Sequence, residues 1–191
     1  MSYKKDKYCI IRKALPKEIA NFVYNYFLIK EKVFKTMTAT KSISPFSEEF
    51  GVAGDMQAPD TYSCYADGAM ETLLLRCQPI MEKNTGLKLL PTYSYARIYK
   101  TGAILDRHKD RKSCEISTTL FLGGDEWPIY LSPFENVGST VGPDTVPGAT
   151  MSSKAKGVKV ILKQGDMLAY DGMELEHWRE RFTEKTCVQV F

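Results

Sequence analysis

Residues 92–110 read Thr92-Tyr93-Ser94-Tyr95-Ala96-Arg97-Ile98-Tyr99-Lys100-Thr101-Gly102-Ala103-Ile104-Leu105-Asp106-Arg107-His108-Lys109-Asp110. From Thr92 to Tyr99 the chain alternates. Tyr93, Tyr95, Arg97 and Tyr99 share one face; Ser94, Ala96 and Ile98 share the other. Period two means a strand, and Gly102 punctuates it. Toward the C-terminus the same reasoning predicts strands over 115–122, 127–131, 158–162, 167–170, 177–182 and 186–191. Gly123-Gly124-Asp125, Gln164-Gly165-Asp166 and Asp171-Gly172 supply turns between them. Residues 132–157, rich in Gly, Ser, Thr and Pro, form the longest irregular stretch, and a loop of that length is usually functional or mobile.

Before residue 91 the period changes. Residues 8–12 read as a short strand. Ile19, Phe22, Val23, Tyr26 and Phe27 then recur at helical spacing behind Pro16, predicting a helix to about residue 35. Residues 38–62 show no clear period and read as loop. Met70, Leu73, Leu74, Cys77, Ile80 and Met81 predict a second helix from about Asp67, kinked or divided at Pro79 and ended by Gly86. Two helices and about eight short strands predict a mainly β fold with flanking helices, a sandwich or barrel whose helices pack outside one sheet. The 191 residues suit one domain, with a helical part over about 8–90 and a β core over about 91–191.

Composition narrows the function classes. The chain is 43% hydrophobic and 26% charged, which excludes a mainly disordered or collagen-like chain. No apolar run approaches the ~20 residues of a membrane helix, and the charged N-terminus has no signal-peptide core. A net charge of +3 makes nucleic acid an unlikely partner. The five cysteines, Cys9, Cys64, Cys77, Cys114 and Cys187, are odd in number and lack a CxxC pair. They read as free thiols in a reducing, cytoplasmic setting. Neither GxxxxGK nor G-x-S-x-G occurs, so a phosphate loop and a nucleophile elbow are excluded.

The chain has only two histidines, His108 and His177. His108-Lys109-Asp110 is an H-x-D tripeptide, and in an extended segment residues i and i+2 point the same way. His177 opens another predicted strand. Two histidines and one carboxylate form the facial triad that holds Fe(II) in non-haem oxygenases and leaves coordination positions open.

Further segments carry a resemblance. Tyr99-Lys100-Thr101-Gly102 looks like a Y-x-x-G element ahead of an H-x-D, Ser117-Thr118-Thr119-Leu120-Phe121-Leu122 like the strand that follows one, and Gly165-Asp166-Met167-Leu168 like a G-D-A-L turn before a distal histidine. On these, residues 8–191 resemble the 2-oxoglutarate- and Fe(II)-dependent dioxygenases, especially the prolyl-4-hydroxylase-like branch. The resemblance implies a double-stranded β-helix, or jelly roll, like that of cupins. It implies Fe(II) on His108, Asp110 and His177, with 2-oxoglutarate and O2 as co-substrates and ascorbate as a compatible reductant. It further implies hydroxylation of a C–H bond in a protein or small-molecule substrate, with peptidyl proline the leading guess.

The family needs a cation for the far carboxylate of 2-oxoglutarate. Lys185, eight residues past His177, fits the family's spacing best; Arg179 and Arg181 compete for the role. Leu105 stands where the family often has a tyrosine, and Tyr99 is the expected substitute. The chain ends within its last predicted strand, so a C-terminal tail over the substrate is not expected. The alternatives are a jelly-roll protein that holds a metal without turnover, and an interaction domain with structural histidines. Oligomeric state is not readable from the sequence.

Overall fold

The computed structural model describes residues 2–44, 46–54, 58–59, 61–132 and 154–191. The helices are α1 (Tyr3–Asp6), α2 (Lys17–Ala39) and α3 (Gly68–Thr85). Asp67 caps α3 through its side chain, which accepts from the N–H groups of Ala69 and Met70, and Gly86 closes it in the left-handed conformation. Pro79 lies inside α3 without dividing it.

Eleven strands among the described residues form two antiparallel sheets. The larger runs in the order β1 (Tyr8–Ile11), β9 (Met167–Asp171), β6 (Ile116–Gly124), β11 (Thr186–Val190), β4 (Tyr95–Lys100), β3 (Tyr62–Tyr65), β2 (Val52–Ala53). The smaller runs β5 (Leu105–His108), β10 (His177–Arg179), β7 (Ile129–Leu131), β8 (Val158–Val160). This is the expected jelly roll with helices packed on one sheet.

Strand β6 shows how the sequence produces the layers. Leu120 and Leu122 face outward and join Ala20, Val23 and Phe27 of α2 and Met70 and Leu73 of α3 in one apolar cluster. Phe121, between them, faces inward and packs with Tyr99, Leu131, Leu168 and Tyr170 between the sheets. Both faces of β6 are covered at its centre, so Leu120-Phe121-Leu122 reads as a continuous apolar run rather than an alternating one.

The structure corrects several sequence expectations. Residues 38–62 are not all loop: they hold β2 and the start of β3. The helical part therefore supplies three strands of the larger sheet, β1 included. Strand β5 was not expected, and it carries His108. Helix α2 runs past residue 35 to Ala39, and β4 begins at Tyr95 rather than residue 92. Strands β7 and β10 are three residues each, shorter than predicted. Of the predicted loop 132–157, residues 133–153 lie outside the described residues. Among the described residues, no helix is long and apolar enough to cross a membrane.

Candidate metal centre

The smaller sheet brings the two histidines together. Strands β5 and β10 pair antiparallel with His108 directly opposite His177, although 69 positions separate them in sequence. Their ring centroids are 4.2 Å apart. Asp110, just past β5, places Oδ1 3.8 Å from His108 Nε2 and 3.6 Å from His177 Nε2. One ligand atom from each residue lies within 4.8 Å of the other two, which is the only such group of three among the described residues. A single ion fits between these atoms with modest adjustment.

Each imidazole has a fixed orientation. His108 Nδ1 lies 2.7 Å from the Asp106 carbonyl oxygen, and His177 Nδ1 lies 3.0 Å from that of Leu175. A carbonyl only accepts, so each Nδ1 must carry the proton and each Nε2 presents a lone pair inward. Burial, reinforced by His177, pushes the His108 pKa down to about 4, so this ring is neutral at pH 7. Burial also disfavours charge on His177, but the Asp110 carboxylate overrides it and the net shift is upward. Burial would raise Asp110; the two imidazoles and the Ser117 hydroxyl reverse that and hold it below the usual carboxylate range. A divalent ion bound here would displace any proton from His177 Nε2, leaving two neutral nitrogens and one anionic oxygen as the donor set.

Two residues that sequence reasoning did not single out support Asp110. Ser117 Oγ donates to Asp110 Oδ2 at 2.5 Å. Gly172 donates its N–H to the Glu115 carbonyl, and its own carbonyl accepts from the Asp110 N–H at 2.7 Å. A Cβ at Gly172 would overlap Asp110 Oδ2 and sit 2.6 Å from the Cys114 carbonyl and 2.7 Å from Ser117 Oγ. The glycine is needed for close approach rather than for unusual backbone angles. The sequence signal was Asp171-Gly172, which reads only as a turn.

The candidate anchors for a second ligand separate clearly. Arg179 is two residues past His177 on β10 and is 1% exposed. Its guanidinium donates to the Trp127 carbonyl and, at 3.3 Å, to Thr119 Oγ1, and lies 5.1 Å from the Trp127 ring centroid. Its Nε has no partner, and no carboxylate of the described residues pairs with it. Burial pulls its pKa down. Arg179 shares β10 with His177, whose ring lies 4.8 Å from that of Tyr170. Tyr99 is fully buried between the sheets, and its hydroxyl accepts from Arg97 at 3.1 Å. Lys185, in contrast, is exposed in the turn before β11, where its N–H donates to Asp125 Oδ2. Arg181 is exposed and donates to the Gly102 carbonyl.

No family model and no curated protein sequence matches the chain. Solved structures do. A prolyl-4-hydroxylase from Pseudomonas putida superposes with a TM-score of 0.59 at 13% identity, over 98% of this chain and 91% of that one. The non-haem alpha-ketoglutarate-dependent epimerase SnoN from nogalamycin biosynthesis gives 0.61 at 14%, over 98% and 78%. HygX from Streptomyces hygroscopicus, solved with nickel and 2-oxoglutarate bound, gives 0.54 at 12%, over 98% and 82%. The chain has the fold of these oxygenases.

Proposed function

We propose that residues 1–191 form one 2-oxoglutarate- and Fe(II)-dependent oxygenase domain that hydroxylates a substrate C–H bond. The observation that carries the reading is the pairing of a His–Asp–His cluster with a buried arginine that lacks an anion, two residues apart on β10. A buried cation without a counter-charge is costly, and the far carboxylate of a dicarboxylate would supply it. The SnoN and HygX structures were described with the same keto acid, which supports the assignment.

His108, Asp110 and His177 would hold the ion. When bound, Fe(II) and 2-oxoglutarate supply activation of O2, with the keto acid leaving as succinate and CO2. The chain contributes position and dryness. The Asp106 and Leu175 carbonyls keep both Nε2 lone pairs inward. Ser117 holds one Asp110 oxygen and leaves the other to face the histidines. Arg179 and Thr119 would receive the far carboxylate, and the Arg97-held Tyr99 hydroxyl lines the same inner face. Trp127, Leu131, Phe182 and Tyr170 close the surroundings with buried apolar surface, which strengthens a charge pair by excluding water.

Peptidyl proline is the first substrate to test, because a prolyl-4-hydroxylase is among the structural neighbours. Small molecules come next, since SnoN was solved with nogalamycin RO and HygX with hygromycin B. The test is succinate formation from 2-oxoglutarate with Fe(II), O2 and ascorbate. Wild-type protein should turn over, and His177→Ala should not while keeping its fold by circular dichroism. Equal succinate formation by both would defeat the reading.

A further inference from the structure

The pairing of β5 with β10 is irregular at the metal centre. His177 faces His108 and Arg179 faces Leu105, so Trp178 alone opposes both Asp106 and Arg107. This is a β-bulge: two residues against one, with a local bend that re-aims side chains. The Asp106 carbonyl, inside the bulge, accepts from His108 Nδ1. The bulge thus sets the direction of one ligand ring.

Bulged backbone loses part of its ladder and needs other restraint. Here the restraint is Arg107. Its guanidinium carbon lies over the ring of Trp178, the residue that faces the bulge, 3.4 Å from the centroid. It also reaches Glu176 Oε2 at 3.4 Å and donates to the Ala155 carbonyl at 2.8 Å. Glu176 has a fully buried side chain and directly precedes His177. Arg107 directly precedes His108. One guanidinium therefore ties together the two neighbours of the facing ligands and the segment that leads into β8.

We propose that Arg107 is a positioning residue: it locks the β5 bulge against Trp178 and Glu176 and thereby fixes His108 in its metal-ready tautomer and orientation. This rests on the proposed metal reading only for its consequence, not for its geometry. Arg107 is not one of the three candidate ligands. A planar, stacked, forked cation suits the role, and lysine reproduces only the charge.

The chain has two histidines, which makes a direct test practical. Nitrogen NMR of the metal-free protein at pH 7 reads the tautomer of each ring. Wild type should show His108 as the neutral Nδ1–H form. Arg107→Met should turn His108 into a tautomer mixture and leave His177 unchanged, and Arg107→Lys should fall between. Co(II) titration, followed by visible absorption, should show affinity down about 10- to 100-fold in Arg107→Met, the usual loss when a residue supporting a ligand is removed. Arg12→Met, which breaks the remote Arg12–Asp166 ion pair, should leave both readouts alone. If Arg107→Met keeps the His108 tautomer, the proposal is overturned. Matching disturbance of both rings would also overturn it, because it would mark a general loosening. Wild type that shows the expected tautomers yet binds no Co(II) would sink the metal reading instead.

Discussion

The two sheets solve different problems. The larger has seven strands, with helices against one face and the inter-sheet core against the other. Apolar burial holds it, at roughly 1.5–3 kcal/mol for each fully buried large aliphatic or aromatic side chain. The smaller has four strands of three or four residues. It carries His108, His177 and Arg179, and the edge of its core includes a guanidinium Nε with no partner. The larger sheet is backed by apolar layers on both faces, and the smaller carries two of the three candidate metal ligands together with Arg179. The first provides a rigid wall against which the second can hold buried charge.

The sharpest way to break this contrast is to damage the helix-backed core and the metal centre separately. Phe27, fully buried where α2 meets the larger sheet, packs 5.3 Å from the Tyr62 ring. Phe27→Ala should cost about 3–5 kcal/mol of unfolding free energy by urea denaturation, with metal affinity in the folded protein unchanged. Gly172→Ala should do the reverse. Its methyl group would displace Asp110 and Ser117, lowering Co(II) affinity about 10- to 100-fold. Equal effects of the two substitutions on both readouts would erase the division of labour.

Next in size is the anchor. Arg179→Met should weaken 2-oxoglutarate binding by about 10- to 150-fold, the equivalent of roughly 1.5–3 kcal/mol for a charge-assisted hydrogen bond. Lys185→Ala should stay within about twofold. Isothermal titration of the metal-loaded, oxygen-free protein distinguishes them, and the opposite ranking would return the role to Lys185.

The smallest effect concerns pH and belongs to the helical layer. Burial would raise the Asp67 pKa, but hydrogen bonds from Lys30 and Tyr26 outweigh it and the net shift is downward. A carboxyl depressed in the folded state stabilises the fold above its unfolded pKa of about 3.9, and that contribution is lost as pH falls through the folded value. Asp67→Asn keeps a capping oxygen and removes the charge. It should cost about 1.5 kcal/mol at pH 7, and the gap to wild type should close toward pH 3. A gap that is constant with pH would mean the charge on Asp67 contributes nothing.

The contrast also explains what the sequence could reveal. Helices α2 and α3 and strands β6, β9 and β11 bury regular apolar faces, so their periodicity was readable, with ends off by a few residues. Strands β2, β3 and β5 are two to four residues long, too short for period two to stand out. The three groups of the candidate metal cluster were legible because the chain has so few histidines and an H-x-D. Ser117 and Gly172 were not, because a serine in a strand and a glycine in a turn have many commoner explanations. Spacing favoured Lys185 over Arg179, since distance along the chain says nothing about burial. The fold places Lys185 in an exposed turn and Arg179 between the sheets.

The central claim is that one site binds Fe(II) through His108, Asp110 and His177 and 2-oxoglutarate through Arg179. Anaerobic mixing of the protein with Fe(II) and 2-oxoglutarate tests it most directly, by the visible charge-transfer absorption of the keto acid chelated to the ion. The account predicts a band in wild type at a 1:1 ratio of iron to protein, no band in His177→Ala, and a band needing about 10- to 150-fold more 2-oxoglutarate in Arg179→Met. A wild-type protein that takes up Fe(II) and 2-oxoglutarate without any such band, or an undiminished band in His177→Ala, would contradict it.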